Sequence, residues 1–275
     1  AHPDDIEFLM AGTLLQLGAR GYELHYLTIA NGCCGTDCYD RETIIAMRRR
    51  ESIAAAAAMG AVHHEPFCDD LGIFYDRPTL SRLAAIIRRV RPEIVLTHAP
   101  IDYMEDHVAT CRLALTATFS RGMPNFVVDP PLPPFAEPVC LYHAQPYGNR
   151  TPLGEVVRPS LFVDTSALIE RKVELLEFHA SQKRWLDESQ GLDSYLETLR
   201  QLDLEVGSWS SGFRYAEGWR RHHPPGFGPL DWDPLSDVLG ATAIGSGDPV
   251  ASGIGSSPEL RPIPSLVAFG AARLD

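Results

Sequence analysis

Apolar positions in this chain follow two periods, one helical and one extended. Residues 8–18 set Leu9, Leu14, Leu15 and Leu17 on one helical face, with Gly18 near the end. Residues 23–30 (ELHYLTIA) read as a strand closed by Asn31-Gly32. The run RETIIAMRRRESIAAAAAM over 41–59 is rich in helix formers and stops at Gly60. A short strand is expected in 62–68, followed by a helix over 78–90 with Leu80, Leu83, Ile86 and Ile87 at core spacing. EIVLTH is a short buried strand entered from Pro92, and a helix follows it from about Asp106. Further on, LYHAQPYGNR reads as a strand ending in a polar loop. LFVDTSALIERKVELL gives a strand and a capped helix, and DSYLETLRQLDLEVG another helix. Alternation of strand and helix predicts an α/β fold with a mostly parallel sheet and right-handed crossovers. Ligands of such sheets bind beyond the carboxyl ends of the strands.

Composition narrows the function. A chain of 275 residues with 45% hydrophobic content can bury a substantial core. A formal net charge of −12 argues against a nucleic-acid partner, which selects a concentrated basic face. No apolar run approaches the roughly 20 residues of a membrane helix, and no signal peptide is visible. The 6 cysteines do not form an evident disulfide framework, so a reducing, cytoplasmic setting is expected. Three of them fall in GCCGTDC, where Cys34 and Cys38 have a spacing that suits either a soft metal or a local thiol-bearing loop.

Two loops carry most of the candidate chemistry. The chain opens AHPDDIEF, placing His2, Asp4 and Asp5 just before a helix, with Pro3 restricting the backbone of His2. The loop after EIVLTH reads APIDYMEDH and brings Asp106 and His107 to the start of another helix. If both loops meet above the sheet, one imidazole from each and one carboxylate make a His₂Asp metal site. Three protein ligands leave a position open for water, the pattern of catalytic zinc. The remaining carboxylate can accept a proton from that water. The simpler reading treats Asp4 and Asp5 as charges favoured by a helix N-terminus.

AHPDDIE before a small-residue helix, R-x-x-E at Arg48 and Glu51, D-H at Asp106-His107 and HASQ at 179–182 occur in that order. The ordered set resembles the LmbE/PIG-L family of zinc-dependent N-deacetylases, over residues 1 to about 240. The resemblance implies a Rossmann-like three-layer fold and hydrolysis of an N-acetyl group on an amino sugar. It implies His2, Asp5 and His107 as Zn²⁺ ligands, Asp4 as general base and Arg48 as a substrate contact. The partner it implies is a small N-acylated molecule, a glycoside above all, and a homo-oligomer stays open. Many relatives carry a second histidine three residues before the zinc histidine, where this chain has Met104, and a thioether cannot donate to an oxyanion. Tyr103, Asp102 or, as first candidate, His143 would then take that role beside Asp106. The alternative reading is a non-catalytic carbohydrate-binding relative.

Other residues have structural readings. Arg48 lies in RRR, a run that usually marks a solvated face. Glu7 reads as a supporting or capping carboxylate, His98 as a support beside the site and His179 as a helix anchor. His63, His64, His222 and His223 read as surface or packing residues. Trp185, Trp209, Tyr215 and Trp219 could form a sugar platform, although aromatics at such spacings more often fill cores. Relatives place an apolar strand directly before the HPDD segment. After a domain over 1–240 and a Gly/Ser-rich linker over 241–260, the 261–275 segment contains PSLVAFGA. A circular permutation is therefore expected, with Ser265 to Phe269 supplying that strand.

Overall fold

The computed structural model describes residues 1–189 and 195–246. Strands β1 (Leu24–Leu27) and β2 (Ala61–His64) pair in parallel as a two-stranded sheet. A five-stranded sheet contains β3 (Ile94–Thr97), β4 (Cys140–Ala144), β5 (Leu161–Asp164), β6 (Ala216–Arg221) and β7 (Ala243–Gly245), in the order β3-β4-β6-β5-β7. The helices are α1 (Asp5–Leu9), α2 (Ala11–Ala19), α3 (Arg41–Met59), α4 (Arg77–Val90), α5 (Glu105–Phe119), α6 (Ile169–Leu176), α7 (Ala180–Ser189), α8 (Tyr195–Trp209) and α9 (Pro234–Leu239).

Helix boundaries follow local chemistry. Asp40 and Asp76 cap α3 and α4 by accepting from the Thr43 and Thr79 backbone nitrogens. Gly60 ends α3 with φ 73°, a conformation a side chain would strain. In β3 and β4 alternate residues face opposite cores. Val95 and Leu141 pack with α4 and α5, while Ile94, Leu96 and Tyr142 pack with α2, α6 and α9. Helices thus cover both faces.

The expected mostly parallel arrangement holds only for the first half of the chain. β3 and β4 are parallel, but β6 lies between β4 and β5 and runs against both, and β7 is antiparallel to β5. Residues 243–245, expected in a linker, form that edge strand. The strand expected at 265–269 lies outside the described residues. Ala1 sits between the strand ends. Its carbonyl accepts from the Ala30 nitrogen at 2.9 Å, and its nitrogen is 2.7 Å from His98 Nε2. His2 therefore enters beyond the carboxyl ends of β1 and β3.

A buried ionic cluster fixes α2. Lys172 Nζ lies 2.8 Å from both Asp203 Oδ2 and Glu217 Oε1. Glu217 also accepts from the Gly12 and Thr13 nitrogens at 2.7 and 2.8 Å, and Thr13 Oγ1 accepts from Trp219 Nε1 at 2.8 Å. Gly12 is required here, because a Cβ would stand 2.4 Å from Thr165 Cγ2. Burial works against the Lys172 ammonium, but Asp203 and Glu217 outweigh it and raise its pKa above the ordinary value. Burial pushes Asp203 up to about 6. Lys172→Met should cost about 3–5 kcal/mol in urea unfolding, since it strands two buried carboxylates. A loss under about 1 kcal/mol, the scale of an exposed ion pair, would contradict this account.

Candidate metal centre and its cavity

The two sequence loops do meet. His2, Asp5 and His107 each present one ligand atom, all within 4.8 Å of one another, and the cluster is buried. Asp5 is the hub. Its Oδ2 lies 3.4 Å from His2 Nδ1 and 3.3 Å from His98 Nε2, and its Oδ1 lies 3.3 Å from His107 Nε2. The His2 backbone nitrogen donates to Oδ2 at 2.7 Å.

Each imidazole is anchored by its far nitrogen. His2 Nε2 lies 2.9 Å from Asp106 Oδ2, which also accepts from the Leu71 nitrogen at 2.7 Å. His107 Nδ1 lies 3.0 Å from Asp102 Oδ1. His2 Nδ1 and His107 Nε2 are left facing Asp5. Carboxylates behind ligating histidines fix the ring orientation and tautomer and raise the basicity of the ligand nitrogen. Two nitrogen donors and one oxygen donor suit zinc, so the residues present fit a divalent ion. Burial opposes charge on His107, but Asp5 and Asp102 outweigh it and hold its pKa near about 9. Burial also opposes ionisation of Asp5, yet His107 and the Ala1 nitrogen hold it well below the usual range. His98, stacked on His107 at 4.2 Å, is driven down to about 3 by burial and neighbouring positive charge.

Asp4 points elsewhere because its backbone does. Its φ of 106° lies in the left-handed region that residues with a Cβ seldom adopt. Neighbouring carboxylates are thereby separated. Asp4 Oδ2 accepts from Tyr195 Oη at 2.6 Å, and Oδ1 lies 3.6 Å from Arg48 Nη2. Burial raises the pKa of Asp4, opposed chiefly by Arg48. Behind it, His179 Nε2 is 3.3 Å from Glu7, which accepts from Tyr26 Oη at 3.3 Å.

Some of these groups open onto a cavity of about 430 Å³. His2, Asp4, Asp5 and His107 occupy one wall, and Phe8, Tyr103, Met104, Tyr147 and Trp185 form apolar and aromatic parts of the rest. Arg48 belongs to the wall and is buried, so the solvated-face reading fails. Its guanidinium donates to the Pro3 carbonyl and to Gln182, and Gly32 and Gly35 make room for it. Its position braces Asp4.

Tyr103 and Met104 line the cavity. His143 does not. It is buried behind the site, with Nδ1 3.0 Å from the His98 carbonyl and Nε2 3.1 Å from His222 Nδ1, and it is absent from the cavity wall. It cannot reach a substrate there. Asp106 is likewise committed to His2 and the Leu71 nitrogen and is absent from the cavity wall, so it orients His2. Trp219 is core, leaving Trp185 as the member of the expected platform that reaches the cavity. Sequence reasoning missed Tyr147 and Tyr195, which come from a loop and a helix with no motif of their own, and gave no role to Gln182, the last residue of HASQ. Asp102, named from the sequence for the oxyanion role, instead holds His107 Nδ1.

Comparison with known proteins finds a family match and relatives of two activities. Residues 1–118 match the family PIG-L: GlcNAc-PI de-N-acetylase. The diacetylchitobiose deacetylase of Thermococcus kodakarensis is 29% identical over 234 residues, covering 80% of this chain and 79% of that protein. The 4-oxalmesaconate hydratase of Pseudomonas putida is 27% identical over 191 residues, 66% of this chain and 72% of its own. Among solved structures, the N,N'-diacetylchitobiose deacetylase of Pyrococcus horikoshii shares the fold with a TM-score of 0.68 at 24% identity, covering 85% of each chain.

Asp102→Asn and Asp106→Asn should each weaken divalent-metal binding by about 10–100-fold without unfolding the chain, because each removes the carboxylate behind a ligating histidine. Chelator competition measures this. Unchanged affinity in both variants would show that the histidines do not hold the ion.

Proposed function

We propose that this chain, whose residues 1–118 form a PIG-L family domain, is a zinc-dependent hydrolase that removes an N-acetyl group from an amino sugar or sugar-bearing small molecule. One observation carries the reading. Asp4 stands in the cavity beside the His2, Asp5 and His107 group but outside it, held by Tyr195 and Arg48. A carboxylate so placed is free to move a proton.

Zinc held by His2, Asp5 and His107 would supply Lewis-acid polarisation and a lowered pKa for water. Asp4 accepts the proton of the attacking water at a carboxylate oxygen and returns it to the departing amine nitrogen. Its raised pKa brings the carboxylate nearer to neutrality, as a group that must both take and give a proton requires. Tyr195 and Arg48 hold that carboxylate in position. Tyr103 stands in for the histidine that Met104 replaces. Tyr103 is largely exposed, but loss of water around its hydroxyl and the nearby Asp5 raise its pKa above the ordinary tyrosine value. It can therefore donate to charge developing on the carbonyl oxygen. Trp185, Phe8 and Tyr147 offer apolar faces for a sugar ring.

Met104 also motivates two competing readings, a sugar-binding protein without turnover and a hydratase like the Pseudomonas putida relative. A panel of N-acetylated amino sugars and unsaturated carboxylates separates them. Acetate release is the expected outcome. Hydration without acetate release, or sugar binding without either, would overturn the deacetylase reading. Asp4→Asn should keep its metal and lose at least about 10²-fold in turnover, the scale of general-base catalysis. Parental turnover in that variant would remove Asp4 from the mechanism.

A further inference from the structure

The cysteine-rich loop after β1 is not used by this chemistry, yet it borders the same cavity. Cys34, Gly35 and Asp70 lie in the cavity wall, and Cys34 is also exposed to solvent. Cys33, Cys34 and Asp70 each offer a ligand atom, all within 4.8 Å of one another. The two sulfurs are 3.8 Å apart. Tetrahedral zinc with Zn–S bonds of about 2.3 Å sets two thiolates about 3.8 Å apart, so the pair is already at ligand spacing.

The loop is built to hold this arrangement. Asp70 Oδ1 accepts from the Gly32 nitrogen at 2.7 Å and Oδ2 from the Cys34 nitrogen at 2.8 Å, tying the β1 loop to the loop after β2. Cys33 nitrogen donates to Asn31 Oδ1 at 3.1 Å. Cys38, which the sequence paired with Cys34, is drawn away. Its sulfur is 2.6 Å from Arg184 Nη2 and 3.8 Å from Thr36 Oγ1.

We propose that Cys33, Cys34 and Asp70 form a second, inhibitory site for a soft divalent metal ion, zinc or cadmium, at the wall of the catalytic cavity. The inhibitory part rests on the deacetylase reading. The binding part does not. Each sulfur gives up its proton on binding the ion, Cys33 against a thiol pKa that burial pushes up to about 11. Two S–H protons leave to solvent, two metal–sulfur bonds and one metal–oxygen bond form, and no electron changes hands. An ion held there lies at the cavity wall formed by Cys34 and Asp70 and narrows the route to Asp4.

The test titrates cadmium into protein already holding one equivalent of zinc, reading the ultraviolet charge-transfer band of cadmium thiolate alongside acetate release. The band should saturate at one further equivalent, with turnover falling in parallel. Cys33→Ser should keep its basal turnover, lose the saturable band and resist cadmium, while Cys38→Ser should behave as the parent. No saturable band, an unchanged band in Cys33→Ser, or a band lost in Cys38→Ser would overturn the site. Saturable binding with turnover untouched would overturn the inhibition. A band that disappears in Cys33→Ser, in a protein that releases no acetate from any substrate, would uphold the metal site and reject the deacetylase reading.

Discussion

One buried carboxylate organises this molecule. Asp5 faces the imidazoles of His2, His98 and His107 at 3.3–3.4 Å in the cavity wall, with its side chain only 13% exposed. An anion in that position is costly to desolvate, and nearby positive charge and donors must compensate. Much of the surrounding structure supplies them. His2 is held between Asp5 and Asp106, and His107 between Asp5 and Asp102. The Lys172–Asp203–Glu217 cluster fixes the start of α2, and with it the short helix that carries Asp5.

Adjacent residues Asp4 and Asp5 have been given opposite electrostatic surroundings. The left-handed turn at Asp4 sends one side chain to the imidazoles and the other to Tyr195 and Arg48. Asp5 is pulled below the ordinary range and Asp4 is pushed above it. Acid-base sites commonly show this divergence between neighbouring carboxylates, one kept ionised and one left able to exchange a proton. Backbone strain at one residue is what makes the division of labour possible.

The candidate ligands were legible in the sequence because His2 and Asp5 lead into one helix and His107 opens another that follows a strand end, where residue order nearly determines placement. Tyr103 and Met104 come with His107 in the same loop. His143 was misplaced for a related reason. A strand register gives the level of a side chain but not its face, and His143 points to Cys111 and His222 behind the site. Tyr195 was invisible because its contact with Asp4 spans 191 residues and depends on how α8 packs. The parallel pairing of β1 with β2 and of β3 with β4 followed from alternating strands and helices. The reversal at β6 did not, since its direction depends on the packing of α8 and not on local periodicity. Arg48 shows the same limit. Its RRR run looks solvated, but α3 turns that one position inward.

Anomalous diffraction from zinc-loaded crystals tests the central assignment most directly. His107 belongs to two geometrically possible groups, one with His2 and Asp5 and one with His98 and Asp102. The account predicts a single strong peak among His2, Asp5 and His107, with Asp4 beside it and unbound. A peak among His98, Asp102 and His107, or on Asp4 itself, would contradict it.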